Sequence, residues 1–379
     1  MKTNLTNARL VLPHGVETGA LSMAEGCFVA LDRDGGADLE LDCEGDYLIP
    51  GLIDIHTDNL EHHFNPRPAV AWPSALMAVL AHDWQMLGAG ITTVLDALSL
   101  GDYDSAGART LMLNAAIGAV TDARARGLTP ADHYFHFRCE LSDPGTVPML
   151  DKHLGNPALR LMSVMDHTPG QRQWKNTKLY RDFRRKKNAQ VWTDEEFEAY
   201  LEERRANQLK HVGPGRARIG EAGRQYQIRI ASHDDTTIAD VEESHADGIT
   251  ISEFPTTLEA AQRARELGMK IVMGSPNVVL GKSHSGNVSA LDLSAAGLLD
   301  ILTSDYVPVS LLHAAFILSD KGVPLHEAIA KVTATPADVL GFTDRGRIAP
   351  GLRADLLRVQ LVDGQPVIRN IWVNGNRVV

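Results

Sequence analysis

The stretch Leu48-Ile-Pro-Gly-Leu-Ile-Asp-Ile-His-Thr-Asp58 decides the fold of this chain. Its apolar run is typical of a buried strand, and it ends in two side chains that can bind a metal ion, His56 and Asp58. Alternate residues of a strand share a face, so both side chains point the same way where the strand leaves its sheet. The pair is typical of half a metal site. A hydrogen-bonded core histidine beside an aspartate that caps the next turn explains these two residues equally well.

The composition predicts a soluble globular protein of 379 residues, with 44% hydrophobic and 22% charged residues. A net charge of −11 argues against nucleic acid and anionic membranes as general partners. No apolar run reaches the roughly 18 residues of a membrane span. Three scattered cysteines and no secretion signal at the N-terminus predict a cytoplasmic protein. The sequence leaves open whether the chain forms a homo-oligomer.

Eight strand-like segments alternate with helical patterns such as 106–126 and 257–267. The strand-like segments are residues 52–58, 91–97, 133–141, 159–167, 227–233, 248–254, 270–274 and 300–305. This alternation predicts an α/β fold, a (β/α)₈ TIM-type barrel. A doubly wound open sheet is the alternative, but no glycine-rich dinucleotide turn follows the first strand.

Both termini look different from this middle and predict small antiparallel strands. They are residues 5–12, 27–31, 38–41, 354–361, 367–373 and 377–379. We therefore expect a small β-sandwich domain from 1–50 plus 346–379, flanking a barrel over 51–345. A charged insertion at about 171–212 has a basic first half and an acidic helix near 195–203. The basic half is typical either of an anion-binding segment or of a solvated face.

Metal-ligand residues recur at the carboxyl ends of the predicted strands, where barrel active sites are built. In 133–140 a period of two puts His136, Arg138 and Glu140 on one face. The full candidate set is His56, Asp58, Glu140, His167, His233 and Asp305. Three imidazoles and three carboxylates at strand ends predict a site for two divalent ions, with Zn, Mn and Fe all suitable. Glu140 is the candidate bridging carboxylate, and Asp305 is the candidate general base that also binds metal.

Cationic and hydroxyl side chains near these strand ends predict an anionic, phosphorylated substrate. The loop after the seventh strand carries Lys282, Ser283, His284 and Ser285, where barrels often bind phosphate. It is not a P-loop, because six residues separate Gly274 from Gly281 where that motif has four. Further candidates for an anion clamp are Arg67, Arg138 and Arg172. Each arginine alone is equally typical of a surface or salt-bridged residue.

Residues 50–58, Pro-Gly-Leu-Ile-Asp-Ile-His-Thr-Asp, resemble the first-strand signature of the amidohydrolase superfamily. Residues 346–356 and 372–378 look like its C-terminal β-sandwich signature, so the resemblance covers nearly the whole chain. Asp58 stands where many members have a second histidine, and Glu140 stands where a carboxylated lysine often bridges the metals. The later histidine ligands of the superfamily usually lie on strands five and six, whereas this sequence predicts strands four and five.

Longer stretches resemble one branch of that superfamily. They are residues 56–61 with 66–68, 138–141, 165–173, 231–235, 253–257 and 283–287. Members of the branch hydrolyse a ribose-phosphonate 5-triphosphate to the 5-phosphate and diphosphate, in the carbon–phosphorus lyase pathway of phosphonate catabolism. The resemblance implies a phosphoanhydride hydrolase with two divalent ions, in which Asn59, Glu61 and His284 hold the ribose or order the loops.

Two other functions compete with that implication. One is an amidohydrolase acting on a C–N bond, such as a cyclic amidase or a deaminase. The candidate metal ligands suit a C–N hydrolase equally well, but such an enzyme does not need the cationic loops. The other is a non-catalytic scaffold on the amidohydrolase fold, against which the full set of candidate ligands argues.

Overall fold

A computed structural model describes residues 1–67, 70–101, 108–188, 191–283 and 286–379. The fold is mixed α/β, with a nearly closed barrel of eight parallel strands and a separate eight-stranded sheet built from the termini. The predicted barrel architecture is confirmed. Among the described residues, no helix is both long enough and apolar enough to span a membrane.

The terminal sheet contains strands from both ends of the chain. They are β1 (Lys2–Leu12), β2 (Gly15–Ala24), β3 (Cys27–Ala30), β4 (Leu39–Asp42), β5 (Tyr47–Pro50) and, from the C-terminus, β14 (Leu356–Val362), β15 (Gln365–Val373) and β16 (Asn376–Arg377). Antiparallel pairing of β14 with β5 joins the two ends, as predicted. The sequence missed β2. Most neighbouring strands pair antiparallel as expected, but β1 pairs parallel with β4 and β5, so the sheet is mixed.

The barrel strands are β6 (Leu52–Thr57), β7 (Ile91–Leu100), β8 (Asp132–Glu140), β9 (Leu159–Met165), β10 (Arg229–His233), β11 (Ile251–Glu253), β12 (Lys270–Gly274) and β13 (Ile301–Thr303). They follow one another around the sheet in chain order, and all eight lie where the sequence predicts them. The main-chain N–H of Asp58 donates to the carbonyl of Asp305 at 2.8 Å, and that of Asp305 donates to the carbonyl of His56 at 3.0 Å. These bonds hold the carboxyl ends of the first and last barrel strands together.

The helices are α1 (Asn59–Phe64), α2 (Ala75–Gly88), α3 (Ala108–Ala125), α4 (Thr146–Asp151), α5 (Thr177–Asn188), α6 (Asp194–Tyr226), α7 (Ile238–Ala246), α8 (Leu258–Glu266), α9 (Ser275–Leu280), α10 (Ala290–Ala295), α11 (Ser310–Asp320), α12 (Leu325–Ala330) and α13 (Ala334–Leu340). The charged insertion forms α5 and the first part of α6. A capping box between Thr193 and Glu196 starts α6, which runs through Pro214 and is much longer than the predicted acidic helix.

The chain divides into two compact units. The terminal unit comprises Met1–Ala97, Ala116–Tyr134 and Met273–Val379, and the insertion unit comprises Leu98–Ala115 and Phe135–Val272. The terminal unit contains the terminal sheet with β6 and β13, whereas β9, β10 and β11 belong to the insertion unit. The domain boundaries expected from the sequence stay a prediction. The fourth barrel strand ends just before His167 and the fifth ends at His233, as the strand count predicts.

Candidate metal-binding site

In the terminal unit, His56, Asp58 and Asp305 bring their ligand atoms within 4.8 Å of one another. His56 is the penultimate residue of the buried strand β6 and is 1% exposed, and its Nε2 lies 3.5 Å from Oδ1 of Asp58. Asp305 has a φ of 56°, a left-handed conformation that aspartate adopts more readily than most residues. This conformation turns the chain directly after the last barrel strand and brings the carboxylate to the first.

Asp54 organises the backbone beneath this group. Its buried Oδ1 accepts hydrogen bonds from the main-chain N–H groups of His56 at 3.2 Å and Ser304 at 3.1 Å. The hydroxyl of Thr303 donates to the same oxygen at 2.5 Å. Burial raises the pKa of the Asp54 carboxyl, and these hydrogen bonds oppose that rise. Asp54 therefore ties the ends of β6 and β13 together from inside the barrel wall.

In the insertion unit, a second group consists of His167, His233 and Asp234. Oδ2 of Asp234 lies 3.6 Å from Nε2 of His167 and 3.7 Å from Nε2 of His233. Each imidazole is oriented through its other nitrogen: Nδ1 of His167 donates to Glu140 at 2.6 Å, and Nδ1 of His233 donates to Glu253 at 2.7 Å. A carboxylate on the far nitrogen is the arrangement found behind most metal-binding histidines.

Both groups fit a divalent ion. Ligand atoms about 2.0–2.1 Å from a tetrahedral ion lie roughly 3.3 Å apart. The side-chain separations of 3.5–3.7 Å in the two groups are close to that value and longer than a hydrogen bond. Imidazole nitrogens and carboxylate oxygens suit Zn, Mn and Fe alike. Each group could therefore hold one ion with little rearrangement.

The charges of the insertion-unit group favour cation binding. Burial acts to raise the pKa of Glu140, but the charge and hydrogen bonds of His167 outweigh burial and lower it to about 2. Burial acts to lower the pKa of His167, and Glu140 and Asp234 together raise it to about 9. A positive charge is thus strongly stabilised between these two carboxylates, and a metal ion can replace the imidazole proton.

The structure brings together the predicted metal ligands within each unit: His56 with Asp58 and Asp305, and Glu140 with His167 and, through Asp234, His233. Glu140 contacts the ring of His167, and its predicted bridging role stays a prediction. Burial acts to raise the pKa of Asp234, but His233 and His167, with a smaller contribution from Arg138, lower it.

The predicted substrate-binding residues differ in their surroundings. Asn59 is buried, Glu61 and Ser283 are half-buried, and Arg67 and Lys282 are exposed. Arg172 is 11% exposed and donates to Asp235 at 2.8 Å, so it anchors the segment after β10. His284 and Ser285 lie outside the described residues.

Sequence reasoning missed Asp234 and Glu253 as members of the site. Strand alternation places residues 233 and 234 on opposite faces, which excludes Asp234 from a site containing His233. In the structure the φ of Asp234 is 55°, and this left-handed turn returns its carboxylate to the side of His233. Glu253 could have been found, because it is the penultimate residue of the strand predicted over 248–254 and belongs to one of the stretches that carry the family resemblance.

Comparison with known proteins identifies relatives over the full length of the chain. Residues 193–379 match the model of the Amidohydrolase family. The chain is 43% identical over 378 residues to the alpha-D-ribose 1-methylphosphonate 5-triphosphate diphosphatase of Escherichia coli (strain K12), with 99% of each protein covered.

Similar solved structures include two enzymes that share the fold. A dihydropyrimidinase from Brevibacillus agri NCHU1002 has 14% identity and a TM-score of 0.66, with 100% of this chain and 95% of that one covered. A 5-methylcytosine deaminase from Klebsiella pneumoniae has 12% identity and a TM-score of 0.65, with 100% and 97% covered. At these identities the likeness concerns the fold alone.

Proposed function

This chain belongs to the amidohydrolase family, and we propose that it hydrolyses α-D-ribose 1-methylphosphonate 5-triphosphate to the 5-phosphate and diphosphate. The observation that carries the proposal is the 43% identity, over 99% of both proteins, to the E. coli diphosphatase of that substrate. The reaction belongs to the breakdown of phosphonates. The members of both ligand groups lie within stretches that resemble this branch in the sequence, except Asp305, which lies two residues after the last barrel strand.

We assign one divalent ion, Zn, Mn or Fe, to each ligand group. His56, Asp58 and Asp305 hold the first, and His167, His233 and Asp234 hold the second. The contact between Glu140 and His167 supports a place for Glu140 beside the second ion. A bound divalent ion polarises phosphoryl oxygens and lowers the pKa of coordinated water.

The reaction adds one water molecule across the anhydride bond between the α- and β-phosphorus atoms. The water oxygen forms a bond to the α-phosphorus, and the bridging oxygen leaves with the diphosphate. One proton of the water must be accepted, and we assign that role to the carboxylate of Asp305. The hydrogen bonds that fix the backbone of Asp305 to His56 and Asp58 support this assignment, because they hold the base beside its ligand group.

The departing diphosphate needs positive charge, and Arg138 and Lys282 are the residues we assign to it. Arg138 lies close enough to Asp234 to affect the pKa of its carboxyl, and the exposed Lys282 follows Gly281, the C-cap of α9. The guanidinium of Arg172 forms a salt bridge with Asp235 through Nη1. Its Nη2 lies 3.6 Å from a carboxylate oxygen of Glu243. We therefore assign Arg172 to holding the segment after His233 rather than to binding phosphate.

Diphosphate release tests the proposal. Metal-loaded protein incubated with the ribose-phosphonate 5-triphosphate in ¹⁸O-water should give diphosphate and 5-phosphate in equal amounts, with the label in the 5-phosphate. Stepwise release of orthophosphate would contradict it. So would a failure to hydrolyse the triphosphate combined with ammonia or ring-opened product from amide substrates, which favours a C–N hydrolase.

A further inference from the structure

A chain of buried polar side chains in the terminal unit lies outside both ligand groups. It consists of His82 and Asp83 on α2, Asp96 on β7 and His133 at the start of β8, each no more than 1% exposed. Its outer end is Asn59, the first residue of α1, which directly follows Asp58. The chain therefore connects the protein interior to a residue beside a proposed metal ligand.

Each member contacts the next at hydrogen-bond distance. Nδ2 of Asn59 lies 3.0 Å from Nδ1 of His82, whose Nε2 lies 2.7 Å from Oδ1 of Asp96. The second oxygen of Asp96 is 2.9 Å from Nδ1 of His133, and Nε2 of His133 is 3.2 Å from Asp83. The main-chain N–H of Ala131 also donates to Asp83, at 3.1 Å.

The two carboxylates determine where the protons lie. A carboxylate only accepts, so His133 must donate from both nitrogens and carry a positive charge. Consistent with this, burial acts to lower the pKa of His133, but Asp96 and Asp83 raise it to about 9. For the same reason His82 must carry its proton on Nε2, facing Asp96. Its Nδ1 is then an acceptor and requires a donor from Asn59.

A second contact agrees with this orientation of Asn59, whose Nδ2 also lies 3.3 Å from Nε2 of His63. Oε1 of Gln85 lies 3.0 Å from Nδ2 of Asn59 and 2.8 Å from Nε2 of His63, so it accepts from both. A rotated amide would place the oxygen of Asn59 against the oxygen of Gln85 and against the acceptor nitrogen of His82. Both amide protons of Asn59 are thus directed into the protein. Among the described residues its carbonyl oxygen has no hydrogen-bond partner, so this oxygen is available to a ligand.

We propose that His82 and Asp96 are positioning residues that make Asn59 a hydrogen-bond acceptor for a hydroxyl group of the substrate sugar. The inference rests on the proposed function and names the part of the substrate that Asn59 binds. A carbonyl oxygen accepts from a hydroxyl and repels the oxygens of a phosphate. The residue next to Asp58 therefore recognises the ribose and not the triphosphate.

A comparison of two protein variants on two substrates tests this inference. The substrate is compared with its 2,3-dideoxy analogue, in wild-type protein and in Asn59→Ala, by kcat/KM for diphosphate release. Wild type should prefer the hydroxylated compound by about tenfold or more, as expected for one hydrogen bond to a buried polar group. Asn59→Ala should lose most of that preference, because its kcat/KM should fall more on the hydroxylated substrate than on the dideoxy compound. Asn114→Ala, at an exposed asparagine that contacts His153, is the matched control and should keep the full preference.

Asp96→Asn tests the positioning role alone, because Asp96 affects Asn59 only through His82. An asparagine at residue 96 no longer requires His82 to carry its proton on Nε2. It should reduce the preference for hydroxyls toward that of Asn59→Ala, in protein whose folding is verified by its thermal melting. Equal loss on both substrates in Asn59→Ala would overturn the inference and leave the proposed function intact. A wild-type protein that releases no diphosphate from either compound would overturn the proposed function, and the inference with it.

Discussion

Two clusters of this protein have the same composition, two histidines and one aspartate, and differ in their spacing. In the insertion unit, the imidazole nitrogens of His167 and His233 lie 3.6 and 3.7 Å from one oxygen of Asp234. In the terminal unit, His82 and His133 lie 2.7 and 2.9 Å from the two oxygens of Asp96. The first spacing suits ligands around an ion, and the second is that of hydrogen bonds.

The partners of the histidines explain this difference. Glu140 and Glu253 bind the Nδ1 atoms of the first cluster, so both Nε2 atoms point toward Asp234. In the second cluster both nitrogens of each imidazole contact protein groups within the terminal unit. The residue types alone do not distinguish a metal site from a buried hydrogen-bond network. The separation of the polar atoms does.

The largest effect should come from the ligand groups. Asp305→Asn removes the proposed base and a ligand charge, so kcat for diphosphate release should fall by about 10³-fold or more. Asp122→Asn, at an exposed aspartate paired with Arg126, should stay within about twofold of wild type, as expected for a surface substitution. Turnover that survives Asp305→Asn would remove Asp305 as the general base.

Substitutions in the buried network of His82, Asp96 and His133 should lower the stability of the protein strongly and leave its metal content unchanged. Asp96→Ala leaves the charge of His133 buried without its closest partner. We expect the free energy of unfolding in denaturant to fall by about 3 kcal/mol or more. Folded Asp96→Ala protein should bind as much metal as wild type. Loss of an ion from this variant would mean that the second cluster is a metal site.

A smaller effect is expected from pH. The pKa of His133 is raised from its ordinary value near 6.5 to about 9 in the folded protein. Its stabilising contribution is therefore complete below about pH 6.5 and is lost as pH rises through about 9. The destabilisation caused by His133→Gln should be greatest near pH 6 and should shrink toward pH 9. His14→Gln, at an exposed histidine, is the control. A destabilisation by His133→Gln that does not change with pH would refute the charged state of His133.

The barrel was predictable because each strand is a short apolar run that ends in polar residues. Every predicted barrel strand is present, and each predicted metal ligand lies within two residues of the end of its strand. The long helix α6 was not predictable in the same way, because Gly213, Pro214 and Gly215 are typical helix breakers. Gly215 packs closely in the structure, where a Cβ atom would lie 3.2 Å from the end of the Leu141 side chain.

The parts of the site that the sequence did not predict depend on backbone turns and long-range contacts. Asp234 joins His233 only because of its left-handed backbone, which strand alternation does not foresee. His82 and Asp96 are 14 residues apart, and His133 lies 37 residues beyond Asp96. No local pattern connects a helix position with two strand positions at these separations. The network therefore becomes visible only in the folded chain.

Metal content measured by plasma mass spectrometry tests the central distinction most directly. Wild type should hold about two ions per chain, as a two-metal hydrolase requires. Asp58→Ala and His233→Ala should each hold about one, because each variant damages one ligand group. His82→Gln should hold the same number as wild type. Loss of an ion from His82→Gln, or the wild-type number of ions in His233→Ala, would contradict the assignment of the two clusters.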